Sequence, residues 1–197
     1  MQLNGLHHIT AITGDAAGNV DFYTRVLGLR MIAKTVNQDD PGVYHLFYGG
    51  EQARPGLDLT FFEYPHAAPA RPGAGTVHRI VWRVQSEAAL EFWEQRLREE
   101  SVACERAAQA PRTLRFSDRE GLDHELCVSS ASDPALPAEH PEIPTQLALI
   151  GFEGVRAYSA DLAHSESVLE RLMGAVRRPD GAWELRGASR GGWIAFD

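Results

Sequence analysis

The sequence predicts an α+β fold in which a unit of one strand, one helix and three further strands is repeated along the chain. The first observation is a β-branched segment at residues 6–13, followed by a helical pattern that ends at Gly28. The second is a return of the same order near residue 149, where a shift of 146 positions places Asp161 on Asp15 and Gly174 on Gly28. Each βαβββ unit curls a small mixed sheet and covers one face with a helix, so the units are expected to pair into curved cups.

The first unit can be assigned element by element. The segment LHHITAIT is β-branched and alternating, which is typical of a strand. Asp15 and Asn19 are candidate caps for the helix, and Gly28 is placed to end it in a left-handed conformation. Three further strands are predicted at residues 30–36, 42–48 and 57–64.

The same order recurs twice more. A strand at residues 77–84 precedes a helix capped by Ser86, and three shorter strands follow it, at residues 102–108, 113–116 and 123–128. The predicted segments are a first module at residues 1–64, a linker at 65–76, a second module at 77–128, a linker at 129–146 and a third module at 147–197. The third module is expected to be incomplete at its end, and a fourth is absent from the chain. Modules normally pair, and three is an odd number, so one module has no partner within the chain. Because an unpaired strand edge tends to associate with another strand, we expect a homodimer or a larger species.

Composition excludes several classes of function. The 197 residues carry 27 acidic and 19 basic side chains, a formal net charge of −8, which disfavours binding to nucleic acid or to anionic membranes. The two cysteines, Cys104 and Cys127, fit neither a zinc motif nor a disulfide framework. With no apolar run of membrane-spanning length and no signal-peptide pattern at the start, the expected location is cytoplasmic.

Two adjacent histidines begin the first strand. Alternation places His8, Thr10 and Ile12 on one face, and His7 on the other. If the first of these faces lines the cup, His8 can present a ring nitrogen to a metal ion. Tyr44 and His45 alternate in the same way in the third strand, so only one of them can look into the cup.

The motifs of this chain resemble those of a known family. LHHITAITGD, FYTRVLGLR, KTVNQDDPGVYHLFYG and LTFF are very similar to the ring-cleaving dioxygenases of the vicinal oxygen chelate superfamily, and most similar to its hydroquinone-type members. That superfamily also contains glyoxalase I and the bleomycin-resistance proteins. The resemblance covers nearly the whole chain, is densest over residues 5–62, and implies a glyoxalase-like fold of four modules.

The resemblance implies roles for three residues of the first strand. The family's metal-binding His stands seven residues before the Asp, and in this sequence that residue is His8, counted back from Asp15. The preceding His and the Thr two residues later are groups near the substrate in the family, and they match His7 and Thr10. The other two ligands, a His and a Glu, come from the family's fourth module and match no residue here. The implied cofactor is a divalent metal, Fe(II) first and Mn(II) second.

The later modules offer weaker candidates. Counted in the same way, the ligand position of the second module is Arg79, which cannot bind a cation, and that of the third is Gly154. His78 is expected to face away from the cup. Glu125 lies where the superfamily's last-strand carboxylate ligand stands, so a partial His8/Glu125 site is one reading, and a structural carboxylate paired with arginine is the other.

The resemblance implies a metal-dependent, extradiol-type ring-cleaving dioxygenase that acts on hydroquinone- or catechol-like aromatics with O₂. Two imidazoles and one carboxylate on one face of Fe(II) leave open positions that an aromatic diol and O₂ can occupy. Two alternatives stay open. One is a glyoxalase-type lyase or isomerase, in which the metal polarises a carbonyl, and the other is a metal-free protein that binds small aromatics.

Overall fold

The computed structural model describes residues 3–107 and 110–197, and the order strand, helix, three strands occurs three times in it. The first round comprises β1 (His8–Thr13), α1 (Ala16–Val20) with a π-helical continuation at Asp21–Val26, β2 (Arg30–Val36), β3 (Tyr44–Gly49) and β4 (Asp58–Glu63). The second comprises β5 (Val77–Val84), α2 (Glu87–Glu99), β6 (Cys104–Ala107), β7 (Ala110–Ser117) and β8 (Asp123–Val128). After a single 3₁₀ turn at Thr145–Leu147, the third comprises β9 (Phe152–Ala157), α3 (Leu162–Ser167) with a π-helical continuation at Val168–Leu172, β10 (Val176–Arg177), β11 (Trp183–Glu184) and β12 (Trp193–Phe196).

These elements confirm the predicted α+β fold, with differences at some boundaries. β2, β5 and β8 have the predicted bounds, whereas β10 was not predicted at all. The predicted strand at residues 102–108 ends outside the described residues, and its described part begins at Cys104.

The helix boundaries follow from local chemistry in the first and third rounds alike. The Asp15 carboxylate accepts the backbone N–H of Gly18 at 3.0 Å, and Asp161 caps α3 in the same way. Gly28 and Gly174 both have φ of +69°, the left-handed conformation that ends a helix. Asn19 does not cap α1. It is buried and accepts a hydrogen bond from the Tyr48 hydroxyl at 2.7 Å.

The first round forms a four-stranded sheet in the order β1-β4-β3-β2, which we call the first sheet. β1 runs parallel to β4, and β3 runs antiparallel to both β4 and β2. Within the described residues β1 pairs with β4 alone, so its other edge is unpaired. The strand that carries both histidines is therefore an edge strand.

The second and third rounds form one eight-stranded sheet, the second sheet, in the order β10-β11-β12-β9-β5-β8-β7-β6. It is joined at its centre, where β5 and β9, the first strands of the two rounds, pair antiparallel. The third round was expected to be incomplete at its end and to leave an unpaired edge there. Its last strand, β12, instead lies between β9 and β11, although it has only four residues.

A buried polar chain links the first sheet's helix to the second sheet. The Tyr23 hydroxyl donates to Asp118 at 2.9 Å and lies 3.1 Å from Nε2 of His124, whose Nδ1 accepts the indole N–H of Trp82 at 3.0 Å. Burial lowers the pKa of His124 to about 3, so the ring is neutral. Each polar group of this hydrogen-bonded series has a partner, so the series fixes the packing of the two sheets and leaves none of its own donors without an acceptor.

No helix in the described parts of the chain is long and apolar enough to cross a bilayer.

Candidate metal centre

The two faces of the first sheet differ in what covers them. In β1, Ile9 and Ala11 pack toward the core beneath α1, whereas His8, Thr10 and Ile12 lie on the opposite face and are exposed. The strand register places the following side chains on that same face, which we call the open face: His8, Thr10, Ile12, Thr35, His45, Phe47, Asp58, Thr60 and Phe62. His8 therefore projects from the side of the sheet opposite the helix, as the alternation predicted.

His7 and His8 are joined through their rings, although alternation predicted opposite faces for them. His7 precedes the first residue of β1, so strict alternation does not apply to it. The two Nδ1 atoms are 3.1 Å apart, and the rings meet edge to face with centroids 5.2 Å apart. One Nδ1 must carry the proton and the other must accept it. If His8 donates, its Nε2 lone pair is free, which is how metal-binding histidines are commonly oriented.

Asp58 and Thr60 of β4 lie directly opposite this part of β1. Asp58 is the register partner of His8, and Thr60 is that of Thr10, with 2.9 Å between the two hydroxyl oxygens. Partial burial raises the pKa of the Asp58 carboxyl, and the charges of His7 and His8 oppose that rise. A carboxylate, two imidazoles and two hydroxyls thus occupy one end of the open face.

Aromatic side chains occupy the other end of the open face. His45 lies between Phe47 and Phe62, with its ring centroid 3.9 Å from each. Tyr44 lies on the helix side, so His45 is the member of that pair on the same face as His8. Burial, followed by the charge of His8, lowers the pKa of His45.

Glu125 lies elsewhere. It belongs to β8 of the second sheet, where it accepts the Arg115 Nε–H at 2.7 Å and lies 3.7 Å from the Arg79 guanidinium. Two guanidinium groups already neutralise the carboxylate and would repel a cation at this position. The structure therefore does not bring Glu125 to His8 and agrees with the reading of Glu125 as an arginine-paired structural carboxylate.

The ligand positions of the later modules hold no metal donor. Arg79 lies on the corresponding face of the second sheet, 3.4 Å from Asp123. Gly154 is covered by the Trp193 ring, which an added Cβ would approach to 2.2 Å. The His78 Nε2–H donates to the Asp197 carboxylate at 2.8 Å. Within residues 3–107 and 110–197, no group of three or more His, Cys, Asp or Glu side chains is placed to hold a metal ion.

Sequence reasoning missed several members of the open face, among them Asp58, Thr60 and Phe47. Their positions depend on the register of β4 against β1 and of β3 against β4, which local pattern does not reveal. The signal available was alternation with buried residues, Leu59 and Phe61 in β4 and Leu46 and Tyr48 in β3, since every second residue of such a strand lies opposite the core.

A comparison with protein families agrees with this geometry. Residues 5–126 match the model described as "Glyoxalase/Bleomycin resistance protein/Dioxygenase superfamily". The chain belongs to this superfamily.

Curated relatives show which members of the superfamily this chain is similar to. A protein of Bacillus subtilis (strain 168), provisionally named as the ring-cleaving dioxygenase MhqA, is 38% identical over 177 residues, which are 87% of this chain and 54% of that protein. The chlorohydroquinone/hydroquinone 1,2-dioxygenase of Sphingobium indicum is 30% identical over 197 residues, covering 97% of this chain and 58% of that enzyme. The chain thus spans little more than half the length of these relatives.

Solved structures show the same fold. The crystal structure of a protein from Bacillus subtilis subsp. subtilis str. 168, provisionally named as a dioxygenase, superposes with a TM-score of 0.89 at 33% identity and covers 100% of this chain and 64% of that one. A mutant glyoxalase I from Zea mays superposes with a TM-score of 0.68 at 14% identity, over 98% of this chain and 68% of that one. The second likeness shows the fold alone and does not favour glyoxalase chemistry.

The superfamily and its dioxygenase members imply a divalent metal. His8 suits one ligand position, because its ring is exposed on the open face and its Nδ1 is held by His7. The described residues bring no complete set of three such ligands together.

Proposed function

We propose that this chain contributes His8 to the metal centre of a ring-cleaving dioxygenase that acts on hydroquinone- or catechol-like aromatic diols. The observation that carries the proposal is the exposed His8 ring on the open face, held at Nδ1 by His7 and backed by Asp58. The names of the relatives, at 30–38% identity, support the reaction class. Fe(II) is the metal we expect and Mn(II) the alternative, because imidazole and carboxylate ligands suit both.

A divalent metal at this position would supply adjacent coordination sites for the diol and O₂ and a path for electrons between them. The chain's own residues would orient the diol. With its Nδ1 accepting from His8 at 3.1 Å, the His7 ring has its N–H at Nε2 and would donate a hydrogen bond from there to an oxygen of the diol. Thr10 is fixed by its hydroxyl contact with Thr60 and offers a hydrogen bond to the same ring.

The remaining ligands must come from outside the described residues, and the unpaired edge of β1 is where they can approach. In the second sheet the corresponding strands β5 and β9 pair antiparallel, which shows how two first strands of this kind join. A second copy of the chain, or a further segment of a longer protein, would place its own first strand beside His8. We therefore propose a homodimer or larger species, and static light scattering that gives a monomer mass at all concentrations would contradict it.

Metal binding and oxygen uptake test the proposal together. The protein is loaded with Fe(II) without oxygen and dialysed, and O₂ consumption is then followed with hydroquinone and chlorohydroquinone. We expect retained iron and O₂ uptake in the native protein and in Glu125→Gln, and loss of both in His8→Ala. If His8→Ala retains both, His8 is not a ligand. If the native protein retains iron but consumes no O₂ with either diol, the dioxygenase proposal is wrong.

A metal-free aromatic-binding protein is the second candidate. It is favoured by one observation, that no three potential ligands come together among the described residues. It predicts that hydroquinone binds the native protein and His8→Ala equally well in the presence of a chelator, and that no first-row metal survives dialysis. One equivalent of retained metal would exclude it.

A further inference from the structure

His45 is held in an aromatic layer on the open face. Its ring centroid lies 3.9 Å from those of Phe47 and Phe62, and the ring is nearly parallel to Phe62, with 27° between their planes. Ile12, the register partner of Phe62, continues this apolar surface toward β1 and is 60% exposed. A large apolar surface that is left partly open beside polar groups is typical of a small-molecule site.

The two ring nitrogens of His45 have different surroundings. Nε2 is buried and has no hydrogen-bond partner among the described residues. Nδ1 is not buried in this way, and it has no hydrogen-bond partner within the described part of the chain. It therefore reaches the surface of the open face. A proton on Nε2 would be a buried donor without an acceptor, which is costly. The neutral ring therefore carries its proton on Nδ1, where it is accessible.

The neutral state of His45 is favoured by the same surroundings. The charged ring would need an acceptor at Nε2 as well, and the packed phenyl rings offer none. The groups that face it are Phe47 on its own strand, Phe62 on β4 and Thr35 on β2, and His8 on β1 is the ionisable group that interacts with it. None of these groups carries a negative charge that would favour the imidazolium.

We propose that His45 is a substrate-binding residue, whose Nδ1–H donates a hydrogen bond to an oxygen of an aromatic diol that packs against the surface of Phe47, Phe62 and Ile12. This inference rests on the proposed function and names how its substrate is held. The apolar layer binds the ring, the Nδ1–H binds one oxygen, and His8 with Thr10 lies at the other end of the same face. A planar ring with two oxygens meets all three features, whereas a purely apolar ring leaves the donor unsatisfied.

Two variants of His45 separate its hydrogen bond from its packing. His45→Phe retains a flat ring of similar size and removes the donor. His45→Asn retains a donor near the position of Nδ1 and removes the stacked ring. His66→Phe, in the exposed loop after β4, is the matched control for replacing a histidine with phenylalanine. Far-UV circular dichroism and thermal unfolding confirm that each variant is folded.

The test is a binding titration of metal-free protein with a chelator present and oxygen excluded, followed by ¹H–¹⁵N NMR. Hydroquinone is compared with 1,4-dimethoxybenzene, which keeps the ring and lacks the hydroxyl protons but still offers two ether oxygens as weaker acceptors. For hydroquinone we expect about tenfold weaker binding in His45→Phe, with His66→Phe unchanged. His45→Asn is expected to weaken both compounds by a similar factor, because it loses the stacked ring.

The native protein supplies an independent readout. Long-range ¹H–¹⁵N correlation distinguishes the two histidine tautomers, and we expect His45 as the Nδ1–H form, with its Nδ1 shift moving on addition of hydroquinone. A structural packing role would not give that shift. Equal hydroquinone affinity in native protein and His45→Phe, no hydroquinone binding at all, or an Nε2–H tautomer would overturn the inference.

Failure of the His45 inference is distinguishable from failure of the dioxygenase proposal, since no metal or O₂ takes part in the titration. Absent O₂ uptake with His45-dependent hydroquinone binding would contradict the dioxygenase and keep the binding role. O₂ uptake by His45→Phe with an unchanged KM would support the dioxygenase proposal and contradict the binding role of His45.

Discussion

The two sheets of this protein are built to one plan and differ in what their helix-free faces carry. In the second sheet the corresponding positions of that face, which we call the filled face, have partners within the protein: Arg79 and Glu125 pair with neighbours, and Trp193 covers Gly154. In the first sheet His8, at the equivalent position, is exposed and faces a partly open surface. The two sheets thus share an architecture and differ in their surfaces. Under the proposed function, activity would depend on which side chain occupies one position of the first strand and on whether its neighbours leave that position open.

The comparison also separates stability from function. Charged groups on the filled face have partners within the protein and are mostly shielded from water, so their loss should weaken folding. The ionisable side chains of the open face form no ion pair with one another or with other described residues, so their exchange should cost folding little and leaves them available for a ligand.

The largest expected effect is on the filled face, at Arg83. It is 3% exposed and pairs with Asp133 at 2.5 Å and with Glu153 at 2.6 Å. Arg83→Met leaves the Asp133 carboxylate buried with one partner fewer, and we expect the free energy of unfolding to fall by about 3–5 kcal/mol. Urea denaturation measures this loss. The control is Arg30→Met, whose exposed pair with Glu51 should contribute less than about 1 kcal/mol.

A loss of similar size in Arg30→Met and Arg83→Met would contradict the distinction between the two faces. So would an unchanged stability in Arg83→Met.

An intermediate effect is expected on acidification, through His124. Its pKa falls from about 6.5 in the unfolded chain to about 3 in the fold, so the unfolded state binds one more proton between these values. The folded protein therefore loses stability from this group as the pH drops below about 6.5, by about 2–3 kcal/mol at about pH 4.5. An NMR titration of the His124 ring checks this directly. Titration near pH 6.5 in folded protein would show that the ring is not buried as described.

The smallest effect is expected at His8. Its ring is exposed and, among the described residues, is bonded to the neighbouring His7 alone, so His8→Ala should change the free energy of unfolding by less than about 0.5 kcal/mol. Urea denaturation of metal-free protein tests this at the same time as Arg83→Met. A loss above about 2 kcal/mol would mean that His8 is a structural residue, and it would weaken the case for a ligand.

The sequence predicted the fold well where local chemistry decides it. The helix ends at Gly28 and Gly174 follow from the left-handed conformation that glycine adopts easily, and the repeat made both visible. The face of His8 followed from alternation. The pairing of β5 with β9, and the unpaired edge of β1, could not be predicted, because strand partners depend on packing between distant segments.

The candidate site could be predicted only in part, because it too depends on how distant strands pair. His8, Thr10 and His45 lie on one face as alternation allows, and His7 joins them because it lies outside the regular strand. Glu125 was a candidate by position in its module alone. Only the sheet order shows that its module belongs to the other sheet, where arginines hold it.

The most direct test of the central claim is to locate a paramagnetic ion on the native protein by NMR. Mn(II) is added in small amounts, and the broadening of backbone amide signals is mapped onto the two sheets. We predict that broadening centres on His8 and its register partner Asp58, and that amides around Glu125 in β8 keep their line widths. Broadening centred on β8, or spread evenly over the acidic surface, would contradict a metal centre on the open face of the first sheet.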